Sequence, residues 1–394
     1  MVDHGTSHEL DLLLTIARSQ LCEEEKRILA NLLAGPLDWN ALRLLAVHHG
    51  LEPLLYLHLH ATADSPVYAS VPAEAVESLH AACTLIAGRS LKLAAKLGAI
   101  SAHLQGQGIP HIVYKGPLLA EQYYGNCALR AYRDLDLIVT PDQLIAARDA
   151  LAAIGFHDKA GLSSSQQAAS FKLGFEHPFS AEGGVDLDLH WRLVQRFKSR
   201  SVDLANMWKR ATMVGFWGGE VPGFCPEDLL VVLCLHAGHH GWMHISQLCD
   251  IAQLLRAHPS LDWEIVRSHL GDSNTRRMVY VSLYLVHEYW GIEMPAPIES
   301  MIRQDAHVAR LSRRIHAEIW PAVDTRLTTS SLGWLLDRTA GIRAADRLCL
   351  LAGSVFCPAV EDFETFRLPL FLAPLYSVLR PLRLARKVAG AKHA

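Results

Sequence analysis

The sequence predicts an α+β protein in which a small mixed β-sheet lies between an N-terminal and a C-terminal helical region. Three observations carry that prediction. Apolar residues recur at three- and four-residue spacing up to Gly108 and again from Pro226 onward. After Pro110 the texture switches to short alternating runs, and those runs are interleaved with helical patterns. With 394 residues the chain is long enough for two or three domains. The texture divides it into a helical region over 1–70, an α/β core over 71–215, and a C-terminal helical domain with a basic tail over 216–394.

The elements follow in order. "EEEKRILANLLAG" places its acids in a first turn and Gly35 just past the end. "LDWNALRLLAVHHG" repeats the pattern with Asp38 as N-cap and Gly50 after the last turn. A long helix runs from Pro72 to the glycines at 106 and 108. "HIVY" is a short strand, "GPLLAEQYYG" a helix, and "DLDLIV" alternates as a strand. "PDQLIAARDALAAIG" is a helix opened by Pro141 and closed by Gly155, and "FKLGFEHPFS" and "GVDLDLHWRLV" both read as strands. Beyond Pro226, "PEDLLVVLCLHAGHH", "SQLCDIAQLLRAH" and "TRRMVYVSLYLVHEYWG" are the clearest helices.

Composition excludes several function classes. Half the residues are hydrophobic and 20% charged, which describes a folded chain. A net charge of −3 gives no basic field to recruit nucleic acid. Eight scattered cysteines with no C-x-x-C pair fit reduced thiols rather than a disulfide framework. The start, "MVDHGTSHELDLLLTIARSQ", carries acids where a signal peptide needs positive charge, and no stretch reaches 18 apolar residues. A cytoplasmic protein is expected.

Two aspartates, Asp134 and Asp136, interrupt the apolar run "DLDLIV". Residues i and i+2 of a strand share a face, so the two carboxylates lie side by side while Leu135 and Leu137 face the core. Their repulsion is relieved by a cation, and a hard divalent ion such as Mg²⁺ prefers oxygen ligands. The bland alternative is a solvent-facing edge with two surface acids. "VDLDLHW" supplies a second such pair, Asp186 and Asp188. A third carboxylate beside a metal-binding pair is what two-metal phosphoryl or nucleotidyl transfer needs. Upstream, "KGP" follows a strand and opens a helix, so Lys115 and the backbone N–H groups form a phosphate cradle. Arg130 and Arg133 are placed to meet phosphate oxygens.

These residues resemble the DNA polymerase beta-like nucleotidyltransferase superfamily, and more closely an uncharacterised bacterial nucleotidyltransferase family. The motifs concerned are Lys115–Gly116 with Leu119–Ala120 and Tyr124, then Arg130 with Asp134–Leu135–Asp136–Leu137–Ile138–Val139, then Asp188–Leu189–His190–Trp191. The similarity spans most of residues 25–260. It implies a nucleotidyltransferase core that moves a nucleoside monophosphate from an NTP to a small-molecule or peptide acceptor, with two Mg²⁺ ions or Mn²⁺ in their place. By resemblance, Asp134 and Asp136 bind both metals, Asp188 is the third carboxylate, and Lys115, Gly116 and Arg130 hold the triphosphate. One departure stands out: Gly116–Pro117 replaces the usual Gly-Gly or Gly-Ser, and proline lacks one N–H donor. No nucleic-acid partner is expected. The alternative is a catalytically degenerate nucleotide-binding or scaffold protein in a biosynthetic complex.

Weaker candidates surround these. His236, His240 and His244 recur every four residues, which predicts one helix face bearing three imidazoles. A zinc site, an acceptor-side wall and plain structural histidines are the three readings. Asp250 reaches the nucleotide site or pairs locally, His190 orients a metal-bound carboxylate, and Asp186 and Arg133 flank the acids. The tail over 368–394 combines apolar residues with Arg380, Arg383, Arg386, Lys387 and Lys392, and offers a weak membrane-surface or protein contact. Prolines 369, 374 and 381 are expected to break it up.

Overall fold

The computed structural model describes residues 7–62, 70–195, 198–322, 339–340 and 343–391, with side chains through Arg386. Four short helices open the chain: α1 (His8–Ile16), α2 (Glu23–Ala34), α3 (Trp39–His49) and α4 (Glu52–Ala61). The capping signals act as the sequence implies. Asp38 accepts from the N–H groups of Asn40 and Ala41, and Gly50 leaves α3 in the left-handed region at φ +66°. Helix α5 (Ala73–Gly106) then lays Leu93, Leu97, Ile100 and Leu104 against the back of the sheet. That spacing of three and four residues is one helix face.

The sheet is built from β1 (His111–Val113), β2 (Asp134–Val139), β3 (His157–Asp158), β4 (Glu176–Ala181), β5 (Val185–His190), β6 (Thr212–Phe216) and β7 (Gly219–Gly223). Its strand order is β3-β4-β5-β2-β1-β7-β6. The β2–β5 and β1–β7 pairs are parallel and the rest antiparallel. Helices α6 (Gly116–Tyr124), α7 (Leu144–Ala153), α8 (Ser164–Leu173) and α9 (Leu204–Arg210) connect the strands. Leu135, Leu137, Val139, Leu187 and Leu189 are fully buried in the core that the sheet shares with α5 and α7. Their alternate neighbours, the aspartates and His190, face the other side.

Two local expectations are corrected. "FKL" does not begin a strand: it ends α8, whose start is fixed by a capping box between Ser163 and Gln166, and the strand begins at Glu176. The β6–β7 hairpin goes unseen in the sequence, and β7 pairs with β1, so the sheet continues past residue 215. Its turn places Trp217 at φ +49° and Gly218 at φ +77°. Two-residue hairpin turns of this kind usually signal themselves by Asn-Gly or Asp-Gly, and a tryptophan hides the signal.

The chain then returns to helices: α10 (Pro226–His239), α11 (Ile245–Ala257), α12 (Trp263–Ser268), α13 (Ser273–Trp290), α14 (Ala296–Gln304) and α15 (Ala306–Arg314). Helix α10 packs on α13 at Gly238, where a Cβ would stand 2.5 Å from Met278 Cγ. Close approach therefore demands glycine at that position. Past a gap in the described residues come α16 (Ala344–Phe356), α17 (Val360–Thr365) and α18 (Leu375–Ala391). Contrary to expectation, α18 runs through Pro381. Arg380 and Arg383 both turn inward onto Asp362, so two of the tail's cations are spent on an internal contact. Phe371, Leu375, Val378 and Leu382 remain exposed. The Lys387 side chain and Lys392 lie outside the described residues. Among the described residues, no helix is long and apolar enough to cross a membrane.

Candidate active site

Parallel pairing of β2 with β5 sets Asp134 beside Asp186 and Asp136 beside Asp188. The i, i+2 rule makes each pair share a face, and the register makes the two strands share the same one. Asp134, Asp136 and Asp188 thus line one cleft of about 350 Å³, closed on its far side by the end of α10 and the start of α11. Burial raises the Asp188 carboxyl to about 7, helped by the negative charges of Asp136, Glu176 and Asp134 and opposed by His190. Burial and the Asp136 charge also raise Asp134. Asp136 goes the other way: burial disfavours its ionised form, but Lys115 and His190 together hold its pKa well below the usual carboxylate range.

Lys115 sits at the N-cap position of α6, with Nζ 2.8 Å from Asp136 Oδ1 and 3.4 Å from His236 Nδ1. Gly116 follows at φ +60°, its backbone close beneath the carbonyl of Asp134. Only glycine takes that conformation without strain. Of the first turn of α6, Gly116 lines the cleft, and Pro117 has no N–H to offer there. Arg130 lines the same cleft, but its guanidinium is engaged: Nε and Nη2 each donate to Asp250 at 2.8 Å. Tyr124 also donates its hydroxyl to Asp250 at 2.7 Å. Burial opposes the charge on Arg130, and Asp250 more than restores it.

His190 stands between two carboxylates. Its Nε2 is 3.2 Å from Asp136 Oδ1 and its Nδ1 is 3.3 Å from Glu176 Oε2. Glu176 is its direct partner across the antiparallel β4–β5 ladder. Burial works against protonation of this imidazole, yet Asp136 and Glu176 outweigh it and raise the pKa. Burial also raises Glu176 itself. The opposite wall carries His236, His239, His240 and His244. Burial, reinforced by the positive charge of Lys115, holds His236 well below 6.5 and His240 at about 4, so both are neutral imidazoles at pH 7.

Residues 35–291 match the family described as "Uncharacterised nucleotidyltransferase". The chain belongs to this nucleotidyltransferase family. A solved structure, an antigenic nucleotidyltransferase-like protein from Paracoccidioides brasiliensis, aligns at 15% identity over 55% of this chain and 94% of that chain, with a TM-score of 0.34. No curated protein matches the chain.

Within this family member, the structure gathers Lys115, Gly116, Arg130, Asp134, Asp136, Asp188, His190 and His240 around one cleft. Others predicted with them land elsewhere. Arg133 is exposed and does not line the cleft, and Asp186 is drawn away by Lys159, whose Nζ is 2.5 Å from its carboxylate. Asp250 does not line the cleft: it lies behind Arg130, paired with a residue 120 positions away rather than with a local partner. The single histidine face is corrected too: α10 ends at His239, Gly241 reverses the chain at φ +68°, and His244 is the N-cap of α11. His244 instead approaches His48 and His49, close enough for a three-imidazole metal group. His49 already uses both ring nitrogens, on the Trp320 carbonyl at 2.9 Å and the Ile245 N–H at 3.4 Å, which marks it as structural. Sequence reasoning missed Glu176. Its signal was an acid at the head of an alternating strand, with nothing local to name its partner.

Proposed function

We propose that the chain is a metal-dependent nucleotidyltransferase, transferring an NMP from an NTP to a hydroxyl or phosphate of a small-molecule or peptide acceptor and releasing pyrophosphate. The observation that carries the reading is the in-register pairing of Asp136 with Asp188 on parallel strands, facing Lys115 and the start of α6. Carboxylates held this close resist ionising together, and divalent cations such as Mg²⁺ or Mn²⁺ would relieve that repulsion. Asp134, Asp136 and Asp188 are the residues to hold them. Bound there, such a cation neutralises phosphate charge and lowers the pKa of the attacking hydroxyl. The protein's own part is positioning: the α6 N–H groups and Lys115 meet phosphate oxygens, and the histidine wall closes the acceptor side. Direct in-line attack needs no nucleophilic side chain. Eight free cysteines fit a reducing, cytoplasmic setting.

Calorimetric titration of each NTP with Mg²⁺ tests this. The expected result is metal-dependent binding by the wild type, lost in Asp134→Asn/Asp136→Asn with the fold intact. Absence of binding by the wild type, or equal binding by the variant, overturns it. A second reading, nucleotide binding without turnover in a biosynthetic complex, draws on one observation: Lys115 and Arg130 are both already ion-paired with protein carboxylates. Pyrophosphate release in the presence of candidate acceptors separates the two.

A further inference from the structure

We infer that the metal site of this cleft is a mixed oxygen–nitrogen site, with His190 a ligand beside Asp136 and Asp188, and that it selects Mn²⁺ over Mg²⁺. The inference deepens the proposed function, but rests on that reading only for what the metal is used for, not for its binding. The starting point is placement. Asp136, Asp188 and His190 each offer one ligand atom, and those atoms lie within 4.8 Å of one another. Ligands bound 2.0–2.2 Å from one ion span roughly 4 Å, so small side-chain adjustments close this group on a single cation. Asp134, on the next rung of the same face, is not one of the three.

The second observation is Glu176. A metal-bound imidazole almost always presents its other ring nitrogen to a carboxylate or carbonyl, which fixes the tautomer and the ring plane. Here the Nδ1 of His190 lies 3.3 Å from Glu176 Oε2 without a formed hydrogen bond, while Nε2 sits 3.2 Å from Asp136 Oδ1, the oxygen that Lys115 also meets. The side chain is 5% exposed, so the ring is held in place rather than swinging in solvent. The edge of Tyr114 packs near the same ring, with centroids 5.7 Å apart. Glu176 stands behind the ring as a partly exposed carboxylate, with a third of its side chain open to solvent. A cation taking the place of the Nε2 proton would turn this arrangement into a carboxylate–histidine–metal triad, with Glu176 as positioning residue.

The choice of ion follows from ligand chemistry. Mg²⁺ favours all-oxygen octahedra and keeps much of its water, whereas imidazole suits first-row transition ions. Among those, Mn²⁺ also accepts carboxylates and phosphate oxygens readily. A ligand group of one imidazole and two carboxylates therefore departs from the all-carboxylate set that the superfamily resemblance implies.

The experiment uses the full chain with Mn²⁺ alone, read by pulsed electron paramagnetic resonance and by Mg²⁺ competition. The expected result is one tightly bound Mn²⁺ with a ¹⁴N coupling, displaced by Mg²⁺ only at an excess of about tenfold or more. The coupling vanishes in His190→Asn. Glu176→Gln, with an unchanged circular dichroism spectrum, weakens Mn²⁺ binding roughly 10–100-fold. Bound Mn²⁺ without nitrogen coupling, coupling that survives in His190→Asn, no Mn²⁺ binding, or displacement by equimolar Mg²⁺ each overturn the inference. Adding an NTP to the Mn²⁺ form separates the two claims: intact ¹⁴N coupling with no nucleotide binding removes the nucleotidyltransferase reading and leaves the metal site standing.

Discussion

Asp188→Asn should make the divalent-free protein more stable at pH 8, at the cost of its metal chemistry. In the native state the Asp188 carboxyl sits at about 7 against an ordinary 3.8, mainly through burial. A folded-state pKa above the unfolded one means that the native state binds the extra proton. Stability is therefore lost as pH rises from the unfolded value through the folded one. Above pH 7 the full shift counts against folding, about 3 pH units or ~4 kcal/mol. At pH 5 only the interval above the unfolded pKa remains, ~1.5 kcal/mol. Asparagine keeps the shape and removes the charge, so its advantage should be about 2–4 kcal/mol at pH 8 and narrow by roughly 2 kcal/mol at pH 5. Urea unfolding in EDTA at the two pH values reads both numbers. A variant less stable than wild type at pH 8, or an advantage that does not change with pH, refutes the reasoning that burial and neighbouring acids strain this carboxylate.

Three further outcomes are expected. Asp250→Ala strands the Arg130 guanidinium and the Tyr124 hydroxyl in the interior, and should cost about 3–5 kcal/mol by denaturant unfolding. The paired change Arg130→Met/Asp250→Leu should recover most of that loss, and failure to recover would mean that the pair is not the cause. Gly116→Ala must adopt a left-handed backbone, so a loss of about 1–2 kcal/mol is expected, along with weaker NTP binding in the calorimetric titration. Removing residues 368–394 should lower the unfolding midpoint in urea, because Tyr376 is fully buried against Phe363 with ring centroids 4.6 Å apart. An unshifted midpoint would show that the tail is not part of the fold, and partner contacts are better probed by Phe371→Ser and Val378→Ser on its exposed face.

Much of the architecture was legible because it is local. The acids and cap around α2, the Asp38 cap and Gly50 exit of α3, and the long period of α5 act over a few residues, and the structure keeps each of them. The two aspartate pairs were legible for the same reason. A strand's two-residue repeat fixes that Asp134 joins Asp136, and Asp186 joins Asp188, on one face whatever the rest of the chain does. Where local signals competed, the reading slipped. A capping box outvoted the strand-like "FKL", and a tryptophan in the turn hid the β6–β7 hairpin.

What the sequence by itself determined is therefore the class of the protein, its helical flanks, and a face of carboxylates next to a glycine-opened helix. Only the tertiary structure decided which acids meet. The register of β2 on β5, separated by some fifty residues, is set by the leucines packing on the opposite face, and it alone puts Asp136 beside Asp188. Other contacts of the folded chain bring Glu176 to His190 across the β4–β5 pair, carry Arg130 onto Asp250 of α11, and draw Asp186 away to Lys159. Charge pairing depends on distance through space, and a one-dimensional pattern holds no record of that distance until the apolar faces have chosen how to pack.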